Sequence, residues 1–231
     1  MLFGTCWELQ VDIDGFLKNE GFELSTQAAR GRKFMIISRL SIGNAERVKV
    51  CLLEDGYVCW FDLCNLLMNA KLINNFEPIS LTPEEIKIRI SNIIDWMAIS
   101  SERYNEYLWG GTIGPNFDCS GLIQSGFASQ KIWIPRDAYQ QERFCKRVDA
   151  SISKIGRLLP GDLLFFGNND RCSHVGLHIE KGLYWHSSGK SNGYNGIGKS
   201  CLSSLRSDPI SSYYQTQFRS AGRVVKCYNF R

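Results

Sequence analysis

Cys119 stands in the run Phe117-Asp118-Cys119-Ser120-Gly121-Leu122-Ile123, with Tyr107-Leu108-Trp109-Gly110-Gly111 just before it. Ser173-His174-Val175-Gly176 and Trp185-His186-Ser187-Ser188 follow downstream. A cysteine that opens an apolar run after a glycine-rich approach, with two later histidines, describes a thiol nucleophile, its base and an orienting group. A thiol attacks as its thiolate, and a free pKa of about 8.5 leaves little of that anion at neutral pH. A helix N-terminus stabilises the anion through unpaired N–H groups and the macrodipole, and a nearby imidazolium adds to this. Leu122, Ile123 and Phe127 carry the apolar side of a helix over about 119–128. Cys119 therefore falls at a helix start, and a lowered pKa is expected there. The other eight cysteines read as small buried hydrophobes.

The histidines can be placed by strand parity. If Glu180-Lys181-Gly182 is a three-residue turn, residue 179 faces 183 and paired numbers sum to 362. Residue 176 then faces His186, and His174 is its diagonal neighbour on the same face. Diagonal positions lie roughly 7–8 Å apart, within reach of aromatic side chains. His174 can serve as base while His186 sets its tautomer and orientation. His178 shares the face but lies farther along the strand, which suits a structural role. Cys172 lies near the site and is a candidate for oxidation, with no catalytic task assigned.

These residues need elements to hold them. Residues 34–40, 48–53 and 57–61 are apolar, β-branched or aromatic, and Asp55-Gly56 is a hairpin signal between the last two. Several short strands in so little chain suggest a small β-barrel. Residues 65–76 form an exit segment without a clear period. Thr82-Pro83-Glu84-Glu85 supplies a capping hydroxyl, a proline at the first helical position and a capping-box glutamate. Ile86, Ile90, Ile93, Ile94 and Met97 continue at helical spacing, so one helix is expected to bury that face. Leu159-Pro160-Gly161-Asp162 turns into the apolar strand Leu163-Leu164-Phe165-Phe166. A helix followed by antiparallel strands makes an α+β domain. The boundary falls between 76 and 82, giving domains 1–78 and 79–231.

Composition narrows the function. A net charge of +4 in 231 residues, without a Lys/Arg cluster, argues against nucleic acid. No apolar run approaches a membrane span, and the start Met1-Leu2-Phe3-Gly4 does not look like a secretory leader. Nine cysteines without a C-x-x-C pair, and only three histidines, give no zinc pattern. A reducing, cytoplasmic setting is the expectation.

Taken together, the motifs resemble the NlpC-type cell-wall cysteine peptidases. The likeness rests on Tyr107-Leu108-Trp109-Gly110-Gly111, Asp118-Cys119-Ser120-Gly121, Ile134-Pro135-Arg136, Pro160-Gly161-Asp162-Leu163, His174-Val175-Gly176 and His186-Ser187, in family order over about 84–231. The N-terminal strands resemble the bacterial SH3-like domain of γ-D-glutamyl-diaminopimelate endopeptidases. Thr26-Gln27-Ala28-Ala29, Asp137-Ala138-Tyr139-Gln140-Gln141 and Ser187-Ser188-Gly189-Lys190 are most like the cyanobacterial form. The resemblance implies a papain-like catalytic domain behind a small SH3-like β-barrel. It makes Cys119 the nucleophile, His174 the base and His186 the orienter, with Tyr107 beside the Cys119 N–H at the oxyanion. Asp118 and Ser120 would grip the γ-D-glutamyl residue. The N-terminal domain would wall off the cleft, so that only a free N-terminal L-Ala fits. Tyr57, beside Glu54 and Asp55, and Asp137 are the candidate partners for that ammonium. Asp55 itself reads as a solvated turn residue. The family usually has an aromatic or aliphatic residue where this chain has His178. The implied activity is hydrolysis of the γ-D-glutamyl–diamino acid bond in murein tripeptides or tetrapeptides during recycling, without cofactor, metal or obligate protein partner. A secreted hydrolase of intact peptidoglycan and a thiol acyltransferase or amidase on the same scaffold are the alternatives.

Overall fold

A computed structural model describes residues 3–38, 46–203 and 208–229. Its strands form two sheets, one in each half of the chain. The first orders its strands β3-β2-β6-β5-β4-β1-β7, where β1 is Cys6–Leu9, β2 Ile13–Phe16, β3 Leu24–Ala28, β4 Lys33–Ile36, β5 Arg47–Leu52, β6 Val58–Asp62 and β7 Ala70–Ile73. Leu9, Ile13, Ala28, Phe34, Val50 and Phe61 from across this sheet, together with Leu66, meet in one core. A sheet whose edge and central strands share one core must curl around it, as the expected small barrel does. The strand expected over 34–40 ends at Ile36, and residues 39–45 lie outside the described residues.

Two local expectations change here. Asp55-Gly56 does join β5 and β6, but through a longer loop than a two-residue primed turn. The Gly56 N–H returns to the Leu52 carbonyl (2.8 Å), and the Tyr57 N–H to Asp55 Oδ1 (3.0 Å). The aperiodic segment after 62 forms the short helix α1 (Leu63–Asn69) and then β7. Leu66 is its one buried side chain, too few contacts for a helical period to show in sequence.

Residues 74–82 carry neither helix nor strand. Thr82 then caps the chain as expected: its Oγ1 accepts from the Glu85 N–H (3.2 Å), and Glu85 Oε2 accepts from the Thr82 N–H (2.8 Å). The single expected helix is two, α2 (Pro83–Ile88) and α3 (Ile90–Ser101). Arg89 breaks it: its N–H bonds to Ile86 in a tightened turn, while Nη1 donates to the Gln130 carbonyl at 2.8 Å. The kink lets Ile90 lie against Gly161, where a Cβ would come within 2.5 Å of it.

After α4 (Cys119–Ser129) and α5 (Ala138–Phe144) comes the second sheet, ordered β12-β11-β10-β9-β13-β8. Its strands are β8 (Lys146–Val148), β9 (Leu163–Gly167), β10 (Cys172–Glu180), β11 (Leu183–Ser188), β12 (Gly196–Cys201) and β13 (Phe218–Arg223); α6 (Pro209–Gln217) precedes β13. Ile93, Met97, Ile123 and Phe127 of α3 and α4 pack on Leu163, Phe165, Val175 and Leu177 of the sheet. This is the expected α+β arrangement. Each such side chain contributes roughly 1.5–3 kcal/mol when fully buried.

The halves meet along a polar seam. Gln27 Oε1 accepts from the N–H groups of Thr112 and Ile113, and Thr112 Oγ1 donates to the Gln27 carbonyl at 2.7 Å. Arg136 Nε donates to Thr26 Oγ1 (3.1 Å), and Gln124 Nε2 to Asp55 Oδ2 (2.8 Å). Arg32 pairs with Glu54 and Asp55 at 3.0 Å each and lies over the Trp133 ring. Asp55 is 4% exposed. The solvated-turn expectation for it is therefore overturned, because the second domain and Arg32 cover the hairpin tip.

Candidate active site

The N-terminus of α4 builds the centre of the site. Asp118 is its N-cap, and Oδ1 accepts from the Gly121 N–H at 2.7 Å. The first turn lies hard against Gly111: a Cβ on Gly121 would stand 2.0 Å from the Gly111 carbonyl oxygen. Only glycine permits that approach, which sets Cys119 beside the glycine-rich turn. The Cys119 Sγ lies 4.0 Å from the carbonyl oxygen of Ser173, the residue before His174. Backbone N–H groups of Ser120 and Val175 point at the sulfur.

Arg136 holds the other side of this turn. Its Nη2 and Nη1 meet Asp118 Oδ2 and Oδ1 at 2.6 and 3.1 Å, and Nη1 also reaches Ser120 Oγ at 2.9 Å. Asp118 Oδ2 takes the Gly110 N–H as well (2.9 Å). Both residues are buried. The Asp118 carboxylate was expected to grip substrate, but its acceptor positions are filled from within. It lines the cleft as the post that holds Arg136, Gly110 and the helix turn. Ser120 lines the same cleft, with its hydroxyl between Asp118 and Arg136.

The histidines come together as a hydrogen-bonded pair. His174 Nε2 and His186 Nδ1 are 2.8 Å apart, and His186 Nε2 is 3.0 Å from Ser200 Oγ on β12. Their hairpin pairs Leu177 with Trp185 and His178 with Tyr184, the expected register. The turn differs. Leu183 faces Glu180 and not Ile179, because a bulge lies between His178 and Glu180. Lys181 and Gly182 alone make the turn, with φ of +47° and +84°, the left-handed pair that a type I′ turn requires. The Tyr214 ring of α6 stacks on His174 at 4.4 Å. His178 serves the scaffold: Nδ1 donates to the Leu159 carbonyl (2.9 Å), and Nε2 accepts from the Gly182 N–H (3.1 Å). Accepting at Nε2 requires the proton on Nδ1.

Protonation in the free protein departs from the sequence expectation. Burial pushes the Cys119 thiol up to about 12, with nearby Asp118 adding to the rise against the N–H groups of Val175 and Ser120. Burial likewise pushes His174 down to about 3, and His186 well below its ordinary value. The expected lowered thiol pKa is overturned by desolvation, which outweighs the helix terminus. The resting pair is a neutral thiol and a neutral imidazole.

A cleft of about 390 Å³ lies over these groups and draws residues from both domains. Tyr107, Cys119, Asp118, Ser120 and Asp137 line it from one side, and Leu24, Ser25 and Tyr57 from the other. The Tyr57 hydroxyl is 3.5 Å from the Ser25 carbonyl oxygen. Burial raises the pKa of both Tyr57 and Tyr107, so each phenol keeps its proton. Burial also raises Asp137, the residue at the start of α5. Of the expected site residues, Tyr57, Tyr107, Asp118, Cys119, Ser120 and Asp137 share one cleft; His174 follows its lining residue Ser173 without lining it, and His186 is hydrogen-bonded to His174. Glu54 and Asp55 are spent on Arg32 and do not line it. Sequence reasoning passed over Ser200, Tyr214 and the cleft-lining Glu23, and it quoted Arg136 only as part of a motif. Among the described residues no group of His, Cys, Asp and Glu is arranged to hold a metal ion.

Residues 104–223 match the NlpC/P60 family. The chain belongs to that family. Residues 19–66 match the bacterial dipeptidyl-peptidase Sh3 domain. The chain is similar to the gamma-D-glutamyl-L-lysine dipeptidyl-peptidase of Bacillus subtilis, with 42% identity over 84 residues, covering 35% of this chain and 27% of that protein. It is also similar to a bifunctional muramidase/DL-endopeptidase of the same organism, 31% identical over 122 residues, covering 51% of this chain and 32% of that one. The matches therefore span about a quarter to a third of these relatives' own length. A crystal structure of an NlpC/P60 family protein from Bacillus cereus aligns with 96% of this chain and 64% of its own, at a TM-score of 0.47 and 19% identity. The chain thus carries an NlpC/P60 domain over residues 104–223, with an SH3-like domain ahead of it.

Proposed function

We propose that this NlpC/P60 enzyme hydrolyses the γ-D-glutamyl–diamino acid bond of murein peptides that carry a free N-terminal L-Ala. One observation carries the reading: Tyr57 and Ser25 of the SH3-like domain line the cleft opposite Cys119, with Asp137 in the same cleft. A wall on that side leaves room for a short acyl chain. A half-buried carboxylate and a phenol suit an ammonium that has lost its water. Cys119 Sγ attacks the γ-carbonyl carbon as its proton passes to the imidazole of His174. The His174 Nε2 is engaged by His186, which leaves Nδ1 as the base. The Cys119 N–H and the Tyr107 hydroxyl hold the oxyanion. The C–N bond then breaks, and His174 returns its proton to the departing amine. Water, deprotonated by His174, releases L-Ala-D-Glu from the acyl-enzyme. A role in recycling within the cytoplasm follows for free peptides, and the nine cysteines of the chain suit a reducing compartment.

The test is to incubate the protein with L-Ala-γ-D-Glu-diaminopimelate, its lysine counterpart, its N-acetyl form and intact peptidoglycan, and to follow products by mass spectrometry. Release of L-Ala-D-Glu from the free tripeptide is expected, with kcat/KM on the order of 10²-fold lower after acetylation. Equal cleavage of acetylated peptide or intact peptidoglycan would replace this reading with a hydrolase acting on the wall itself.

A further inference from the structure

Beyond the catalytic groups, the cleft continues into a second depression that shares Tyr139, Arg171 and Cys172 with it and adds Glu142, Arg143, Asp170 and Arg219. Two guanidinium groups use the Tyr139 ring there, Arg171 at 4.5 Å and Arg143 at 5.6 Å from its centroid. Both arginines are exposed. Among the described residues neither has a carboxylate within ion-pair distance. Glu142 is committed to Arg219 Nε and the Ser220 hydroxyl, and Asp170 is exposed beside them. Asp137 acts on Arg171 through space without an ion-pair contact, and Glu142 and Asp170 line the depression with Arg143, Arg171 and Arg219, so its three guanidinium groups still outnumber its two carboxylates and favour an added anion. The ring also limits the freedom that each planar fork loses on binding.

Position fixes what that anion can be. Arg171 is two residues before Ser173, whose carbonyl oxygen is 4.0 Å from the Cys119 sulfur. Two strand residues span roughly 7 Å, and the arginine side chain covers the remainder. An anion held there lies within about one residue of the bond under attack. The geometry points to Arg171 and Arg143 as a carboxylate-binding subsite that selects substrates with a free carboxylate next to the scissile amide. The inference rests on the proposed γ-D-glutamyl reading, in which two carboxylates qualify: the α-carboxylate of D-Glu and that of the leaving diamino acid. The recognition chemistry is the same for both.

Binding and turnover are measured separately. Calorimetry on the Cys119→Ala protein uses three peptides: L-Ala-γ-D-Glu-diaminopimelate, the same peptide with D-isoglutamine, and the same peptide with the diamino acid α-carboxylate amidated. One amidated peptide should bind about 10-fold or more weakly, as losing a charge-assisted pair does, and its identity names the carboxylate that is held. Adding Arg171→Gln should weaken the fully charged peptide by a similar factor and leave that amidated peptide unchanged. Arg143→Gln should do the same to a smaller extent. Equal binding of all three peptides, no binding of any, or an Arg171→Gln loss independent of the carboxylates would overturn the subsite. Absence of turnover by the unmodified protein would instead overturn the γ-D-glutamyl reading, whatever the binding shows.

Discussion

Residues 118 and 119 are neighbours at one helix start, yet they live under opposite electrostatic rules. Asp118 carries a full charge into the interior, and Arg136, three N–H or hydroxyl donors and the helix terminus satisfy it. Cys119 and His174, also buried, are held in their neutral forms by the same loss of water. A permanent charge suits a permanent scaffold, because its partners can be fixed at folding. A reacting pair gains from staying neutral until attack, when charge separates among groups already aimed at it.

The largest expected effect breaks the neutral side. Cys119→Ala should lower kcat by on the order of 10⁴-fold or more, with the melting temperature nearly unchanged, since the residue that forms the bond is gone. His174→Ala should come close to that loss, because residues acting as one unit are not additive. His178→Ala should lower the melting temperature far more than kcat, since its ring ties the turn at Gly182 to Leu159. A kcat loss larger than that of His174→Ala would reassign the base.

Breaking the charged side should cost stability first. Arg136→Met leaves Asp118 buried without its cation, a change worth roughly 3–5 kcal/mol by denaturant titration. Arg136→Met combined with Asp118→Asn should recover part of this, because no uncompensated charge remains. If the single and double replacements were equally unstable, packing would outweigh the ion pair in that role.

The same contrast shows where the sequence could be read and where it could not. Cys119, His174 and His186 were legible because local rules place them: an apolar helix period after glycines, and strand parity around a short turn. The Thr82 cap was legible for the same reason. The Asp118–Arg136 pair was not, since a charged residue defaults to the surface and nothing local links positions 18 apart. Asp55 departs from expectation because Asp-Gly turns are normally wet, whereas Arg32 and the packing of the second domain bury this one. Ser200 gave no signal, as serine is common and its contact with His186 spans neighbouring strands. The direction of the thiol shift was missed because a motif shows the helix start but not the depth of burial.

The neutral pair also predicts a pH response. His174 is held near 3 in the folded protein against about 6.5 in the unfolded chain, so below 6.5 the unfolded state binds the extra proton. Its contribution is complete above that value and is lost as pH falls from about 6.5 toward 3. Cys119 runs the other way, losing its contribution as pH rises from about 9 to 12. Replacing His174 with Gln should flatten the acid side of the stability profile, and Cys119→Ala the alkaline side. Absorbance at 240 nm should show no thiolate from Cys119 at pH 7, and iodoacetamide should reach exposed Cys64 first. Rapid labelling of Cys119 at pH 6 would restore the charged resting pair.

The smallest effect tests how the neutral pair is aimed. With both imidazoles uncharged, the contact between His174 Nε2 and His186 Nδ1 holds a single proton. If His174 is to accept from the thiol at Nδ1, that proton belongs to its own Nε2, which donates to His186. His186 must then carry its one ring proton on Nε2 and donate it to Ser200 Oγ, at the observed 3.0 Å. Ser200→Ala strands that buried N–H, at a cost of about 1–3 kcal/mol if no water replaces the hydroxyl. Part of this should appear as a kcat loss of about 3- to 10-fold, because the alternative His186 tautomer places a proton on Nδ1 and turns the neighbouring ring away from its task. KM should hold, since Ser200 is buried behind the cleft and does not line it. Ser200→Thr keeps the hydroxyl and should recover kcat. A Ser200→Ala enzyme that loses melting temperature while keeping full kcat would reduce the residue to packing and leave the tautomer to His186 alone.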